Sequence, residues 1–251
     1  MFEQKKVLLI LAVVLAAVVA YAALSSGDGE SGWLKKIGLN ALKEEAEASA
    51  DSVQTAQVPE VKVDSTRQRI LLLGESMVEG LSRPFADYCA ANGHEYNSVC
   101  WYSSTTEHWA KTDTLRYFLD KYDPTYVMVT IGGNEMFVKD LDARETYIKK
   151  ILSVIGDRKL VWIGTPFWKA DSGINDLTRR IVGKGRFFDS SQLQIPRKKD
   201  GAHPTKEASL QWMDSVALFV GSLDNKNPIL FDKYTDHAPE KHLVLLQPSE
   251  I

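Results

Sequence analysis

Cysteine and histidine are scarce in this chain, with two and five in 251 residues, and they never gather at metal-ligand spacing. A metal centre is therefore not indicated. Cys89 and Cys100 suit either one disulfide in an oxidising compartment or two packed free thiols. An excess of either charge is also missing. Thirty Lys and Arg against 33 Asp and Glu leave a formal net charge of −3, which gives no electrostatic case for a nucleic-acid partner. Internal repeats and long low-complexity tracts are lacking. So is Gly-x-Ser-x-Gly, which argues against the ordinary nucleophile elbow of α/β-hydrolases.

What is present begins with an apolar N-terminus. Val7 to Leu24 is a run of 18 residues without a charge, long enough for a membrane-spanning helix. Lys5 and Lys6 favour a cytoplasmic start, although Lys35 and Lys36 on the far flank weaken that signal. Ala20-Tyr21-Ala22 has the small-x-small form of a cleavage site, so a secretory signal is the competing reading. An uncleaved anchor is preferred because the run exceeds the usual signal core. Either way the soluble part is expected outside the cytoplasm. Residues 25–66 turn to Ser, Gly, Ala, Glu and Lys and read as a linker, with a short amphipathic helix around Trp33, Leu34, Ile37 and Leu42.

From Arg67 the chain alternates strand and helix signals. Strand-like runs occur at Ile70 to Leu73, Glu95 to Tyr102, Tyr126 to Ile131, Lys159 to Gly164 and Arg186 to Asp189. Helical patterns lie between them. Leu141, Ile148, Ile151, Leu152 and Ile155 share a face that ends at Gly156; Leu115, Phe118, Leu119 and Tyr122 share another that ends before Pro124. A last helix follows Pro204-Thr205 and runs toward Gly221. Such alternation predicts an α/β domain over 67–221, a parallel sheet with helices on both faces. Residues 222–251 form an extension in which Leu243 to Leu246 are apolar enough for a short strand.

Three of the strand ends and helix starts carry polar residues that packing does not require. Gly74-Glu75-Ser76 follows the first strand, Gly132-Gly133-Asn134-Glu135 follows the third, and Asp200-Gly201-Ala202-His203 precedes the last helix. Singly, each has a plain structural reading: a turn, a helix N-cap, a loop held by local hydrogen bonds. Their joint occurrence in this order is far less expected by chance.

In these three blocks the chain resembles the SGNH hydrolases, also called GDSL-type esterases, over about Arg69 to Val220. That family reads Gly-Asp-Ser, Gly-x-Asn-Asp and Asp-x-x-His, so here two acids are lengthened to Glu75 and Glu135. Val161 to Pro166, followed by Phe188-Asp189, is similar to an exported branch acting on envelope polysaccharides. The resemblance implies a three-layer α/β/α sandwich of the flavodoxin-like type with a five-stranded parallel sheet. It also implies Ser76 as nucleophile, His203 as base and Asp200 as its orienting acid. Ser76 N–H and the Asn134 amide would hold the oxyanion. The family's second-block glycine is replaced by Val99 to Glu107, where a main-chain N–H from Ser103, Ser104 or Thr105 would serve, with Ser104 taken as the candidate.

A serine hydroxyl needs a base that works near neutrality, which suits His203. His94, His108, His237 and His242 lack the motif context and are expected at the surface. Trp101 and Trp168 follow strands and are candidates for a sugar platform, with packing as the competing role. The expected activity is an exported esterase removing O-acetyl groups from envelope carbohydrate, without cofactor or metal. Transfer of acetyl from a membrane-bound acyl-donor partner and a non-catalytic binding domain are the alternatives.

Overall fold

The computed structural model describes residues 62–235 and 242–249; the apolar N-terminal run, the amphipathic segment at Trp33 and His237 lie outside them. Among the described residues no helix is long and apolar enough to cross a membrane.

The organising strand is β1, Arg69–Gly74. Its side chains alternate between faces, so Ile70 and Leu72 enter one apolar cluster while Leu71 and Leu73 enter another, all 2% exposed or less. Truncating one such leucine to alanine costs about 3 kcal/mol. A six-stranded sheet is built outward from β1, not the five-stranded one expected. Beside it lie β2, Glu95–Trp101, and β3, Tyr126–Thr130; then follow β4, Lys159–Ile163, and β5, Phe187–Phe188. The sixth, β6, Leu243–Leu246, pairs with the outer edge of β2, giving the order β5-β4-β3-β1-β2-β6 with every pair parallel. The added strand arises because β2 offered an unpaired edge, which the apolar 243–246 segment covers.

Helices cover both faces. On the Ile70/Leu72 side lie α1, Met77–Ala91, and the last helix, α6, Lys206–Gly221. The opposite face carries α2, Thr106–Lys111, α3, Thr114–Tyr122, α4, Leu141–Ile155, and α5, Ile174–Val182. The short α2 and α5 are not among the expected helices: α2 is too brief for a period to show, while Ile174, Leu177, Ile181 and Val182 of α5 do recur at helical spacing. The packed unit is wider than 67–221: Asp64 bridges to Ile229, and Ile229 and Phe231 are buried in the first cluster.

From β1 the chain moves to β2 on one side, then returns to β3 on the other. Residues following β1 and β3 therefore meet at their C-terminal ends, where open α/β sheets place ligands. Gly74 makes that approach possible, since a Cβ there would stand 1.9 Å from the Thr130 carbonyl oxygen.

Candidate active site

Ser76 ends the β1 turn and opens α1, but its hydroxyl makes no cap hydrogen bond. The plain N-cap reading therefore does not account for it. Instead Oγ lies 2.9 Å from His203 Nε2, and His203 Nδ1 lies 3.0 Å from Asp200 Oδ2. Asp200 holds the ring in the tautomer with its proton on Nδ1, which leaves Nε2 able to accept the serine proton. Main-chain N–H groups of His203 and Ala202 each donate to Asp200 Oδ1 at 2.9 Å. Those bonds, with the His203 ring, hold the Asp200 carboxyl down at about 2.

The His203 loop is fastened at several points. Lys198 N–H donates to the His203 carbonyl at 2.7 Å and Thr205 N–H to Pro196 at 3.0 Å, which pairs the two arms of the loop. Arg197 ties it down with hydrogen bonds to the Ala202 and Pro166 carbonyls. Thr205 then caps α6 by accepting from Ala208 N–H.

Asn134 lies in a 3-10 turn, Gly133–Glu135, directly after β3. Its Nδ2 donates to the Ser104 carbonyl at 2.9 Å, which uses one amide hydrogen and orients the other. Ser76, Asn134 and His203 line one cleft of about 560 Å³, with Thr105, Met136, Phe137, Arg144 and Trp168 among its other walls.

Two neighbours shape this cleft, Glu135 and Glu75, which the sequence marked only as lengthened acids of their motif blocks. Glu135 is buried and accepts from Thr106 N–H at 2.8 Å and Thr106 Oγ1 at 2.7 Å, and it is ion-paired with Arg144 at 2.8 Å. Burial pushes its carboxyl up, and the Thr106 bonds and Arg144 oppose that. It thereby fastens the Asn134 turn to the start of α2. Nothing in the spacing of Arg144 marked it. Glu75 is 1% exposed and receives the Ser76 hydroxyl at 3.0 Å and, more weakly, Met77 N–H at 3.4 Å. Its motif position was the available signal. Gly133 must stay small beside it, because an added Cβ would lie 2.8 Å from Glu75 Oε1.

Some expected roles are not supported by the placement. The Ser104 N–H is not a free oxyanion donor: it bonds the Trp101 carbonyl at 3.2 Å, closing a tight turn that Ser103 enters with φ of 58°. Ser104 contributes its carbonyl instead, as the anchor of Asn134. Trp101 is buried against Trp109 and His108, with Nε1 donating to the Gln247 carbonyl, so it is packing and not a sugar platform. Trp168 does face the cleft, with the Arg197 guanidinium 5.7 Å from its ring centre. His94 is buried, not at the surface; it accepts from Gln68 N–H and donates to the Leu230 carbonyl, and burial lowers its proton affinity. His108 sits in the capping box of α2. Cys89 and Cys100 are buried free thiols. Among the described residues no group of His, Cys, Asp and Glu is arranged to hold a metal ion.

No family model and no curated protein matches the chain. Among solved structures it is similar to a protein from Desulfitobacterium hafniense DCB-2 assigned as lipolytic and to the G-D-S-L family. That likeness is at 13% identity over 60% of this chain and 98% of the other, with a TM-score of 0.41. It is also similar to a gut microbial diltiazem-metabolizing enzyme at 16% identity, over 49% of this chain and 34% of that one, with a TM-score of 0.29. Likeness at this level says nothing of the chemistry, which rests on the geometry of the cleft.

Proposed function

We propose that this chain is an exported serine esterase that removes short acyl groups, acetyl above all, from cell-envelope carbohydrate. The carrying observation is the Ser76–His203–Asp200 relay, with contacts of 2.9 and 3.0 Å, at the mouth of a cleft shared with Asn134. Ser76 Oγ attacks the ester carbonyl carbon while its proton passes to His203 Nε2. Ser76 N–H and Asn134 Nδ2 receive the oxyanion; each such donor contributes about 3 kcal/mol of transition-state stabilisation. On collapse the sugar oxygen leaves with the proton from His203, and the acyl group stays on Ser76. Water, deprotonated by the same imidazole, then releases the acid. Trp168 and the exposed Phe137 offer apolar faces beside the nucleophile against which a sugar ring can stack.

Acetylated envelope glycan and p-nitrophenyl acetate are the test substrates, with covalent labelling of Ser76 by a fluorophosphonate as a direct check. Activity of the full chain no greater than that of Ser76→Ala sinks the proposal.

The charge-free run at Val7 to Leu24 favours a second reading, an anchored O-acetyltransferase served by a membrane acyl-donor partner. Acetyl passing from Ser76 to glycan in preference to water is its signature; fast hydrolysis with no transfer removes it. An inert binding domain calls for His203 beyond reach of Ser76, and the 2.9 Å contact counts against that.

A further inference from the structure

Ser76 has one hydroxyl proton and two acceptors for it. Oγ lies 2.9 Å from His203 Nε2 and 3.0 Å from Glu75 Oε2. Nucleophilic attack needs the proton on the His203 side. An ionised carboxylate has nothing to donate, so at this distance it competes with the imidazole for the serine proton. A protonated carboxyl does the reverse: its O–H donates to a lone pair of Oγ and leaves the serine proton to His203.

We infer that Glu75 is a positioning residue whose protonation state sets the direction of the Ser76 hydroxyl, the neutral acid being the productive form. The inference rests on reading Ser76 as the nucleophile and adds a second proton to that site.

The surroundings of Glu75 favour the neutral form. A buried carboxylate is normally satisfied by several donors, whereas Oε1 here has no hydrogen-bond partner among the described residues and lies against Gly133. Beyond the contested serine hydroxyl and the long Met77 bond at Oε2, the carboxyl has only a weaker contact from the Ser76 N–H. On its own segment the next charge is Glu79, of like sign. From β2 comes Cys100, whose Sγ donates to the Glu75 carbonyl at 3.6 Å and whose thiol burial holds neutral. From β3 comes Thr130, uncharged. The 3-10 turn after β3 brings Glu135, already paired with Arg144. The loop before α6 brings His203, which favours ionised Glu75 only when it is itself protonated and so cannot act as base. Burial pushes the Glu75 carboxyl up to about 7, with the hydrogen bonds from Ser76 and Met77 and the charge on His203 opposing.

Glu75 and His203 thus form a pair that shares protons. With one proton between them, neutral Glu75 beside neutral His203 is the working arrangement, and Glu75 carboxylate beside imidazolium is its inactive tautomer. Alkali strips Glu75 and turns the serine proton away, so an alkaline fall in the rate of attack belongs to Glu75.

The test is the rate of fluorophosphonate labelling of Ser76 in the full chain between about pH 5 and about pH 10, for wild type and Glu75→Gln. Glutamine is neutral throughout and keeps a donor toward Oγ. The wild-type rate is expected to fall above neutrality, approaching about tenfold per pH unit, while Glu75→Gln loses that decline whatever its absolute rate. An alkaline limb unchanged in Glu75→Gln overturns the inference, as does a wild-type rate with no alkaline limb, or a folded Glu75→Gln that never labels. If Glu75→Gln does not fold, carbon-13 carboxyl resonances of wild type decide. A signal missing from Glu75→Asp that titrates with the labelling limb supports the inference; titration of that signal below about pH 5.5 overturns it. Wild type that labels at no pH removes the esterase reading and this inference together, whereas labelling with a flat alkaline profile removes this inference alone.

Discussion

Asn134 Nδ2 donates to the carbonyl oxygen of Ser104 across a separation of 30 residues, at 2.9 Å. The bond joins the turn after β3 to the loop after β2 and sets the direction of the second amide hydrogen, toward the cleft that Ser76 also lines. Asn134→Ala is therefore expected to lower kcat by about two orders of magnitude, near the 3 kcal/mol typical of one oxyanion donor, with KM little changed. Steady-state hydrolysis of p-nitrophenyl acetate measures it, and an equal loss appearing in KM alone would place Asn134 in binding and not in catalysis.

Asp200 acts through its grip on the ring. Its carboxyl is held at about 2, below the usual 3.8, so whatever it contributes is fully present above pH 3.8 and lost only as pH falls through 2. Asp200→Asn is expected to cut kcat by about 10²-fold or more, less than the about 10⁴-fold known for a fully buried triad acid, because Asp200 is half-exposed and water replaces part of its role. A pH profile of the variant checks both parts.

Glu75 has the opposite sign. Its folded-state value of about 7 stands above the ordinary 4.5, so the folded protein binds the extra proton and stability falls as pH rises from 4.5 through 7, then levels. Glu75→Gln, which removes the buried charge, is expected to stabilise the fold by up to about 3 kcal/mol at pH 8 and hardly at all at pH 4. Urea unfolding at the two values measures this, and equal effects at both would show that the carboxyl does not titrate with folding.

Glu135 and Arg144 are a pair whose partners cannot be removed singly without cost. Glu135→Ala leaves the mostly buried Arg144 with only its longer ion pair to Glu107 at 3.7 Å and strips two acceptor contacts from Thr106 at the start of α2. A loss of about 3 kcal/mol is expected in urea unfolding. Because Glu135 adjoins Asn134, kcat should fall as well while Ser76 remains open to fluorophosphonate.

Cys89 and Cys100 are buried thiols, and burial drives Cys89 well up and Cys100 to about 12. Neither is expected to react with a thiol reagent in the folded protein, and both should react on unfolding. Titration with a coloured disulfide reagent, before and after adding guanidinium, checks it.

The chain pattern determined the α/β layering, because a strand buried on both faces must be apolar at every position, as Ile70 to Leu73 is, and a half-buried helix must repeat every three to four residues, as Leu141 to Ile155 does. It determined the three site segments as well, since polar residues placed at strand ends and helix starts stand out against that pattern. Short elements were less legible: α2 has six residues, too few for a period to show, and the apolar run at Leu243 to Leu246 suggested the strand that β6 is but not its place on the edge of β2. The tertiary structure alone decided which polar groups compete for which proton. Whether Ser104 N–H is free, whether Trp101 faces a cleft or a neighbour, and whether Glu75 has a second donor all depend on atoms distant in the chain. Hydrogen bonding and burial act over a few ångströms of space, and sequence spacing does not measure those distances.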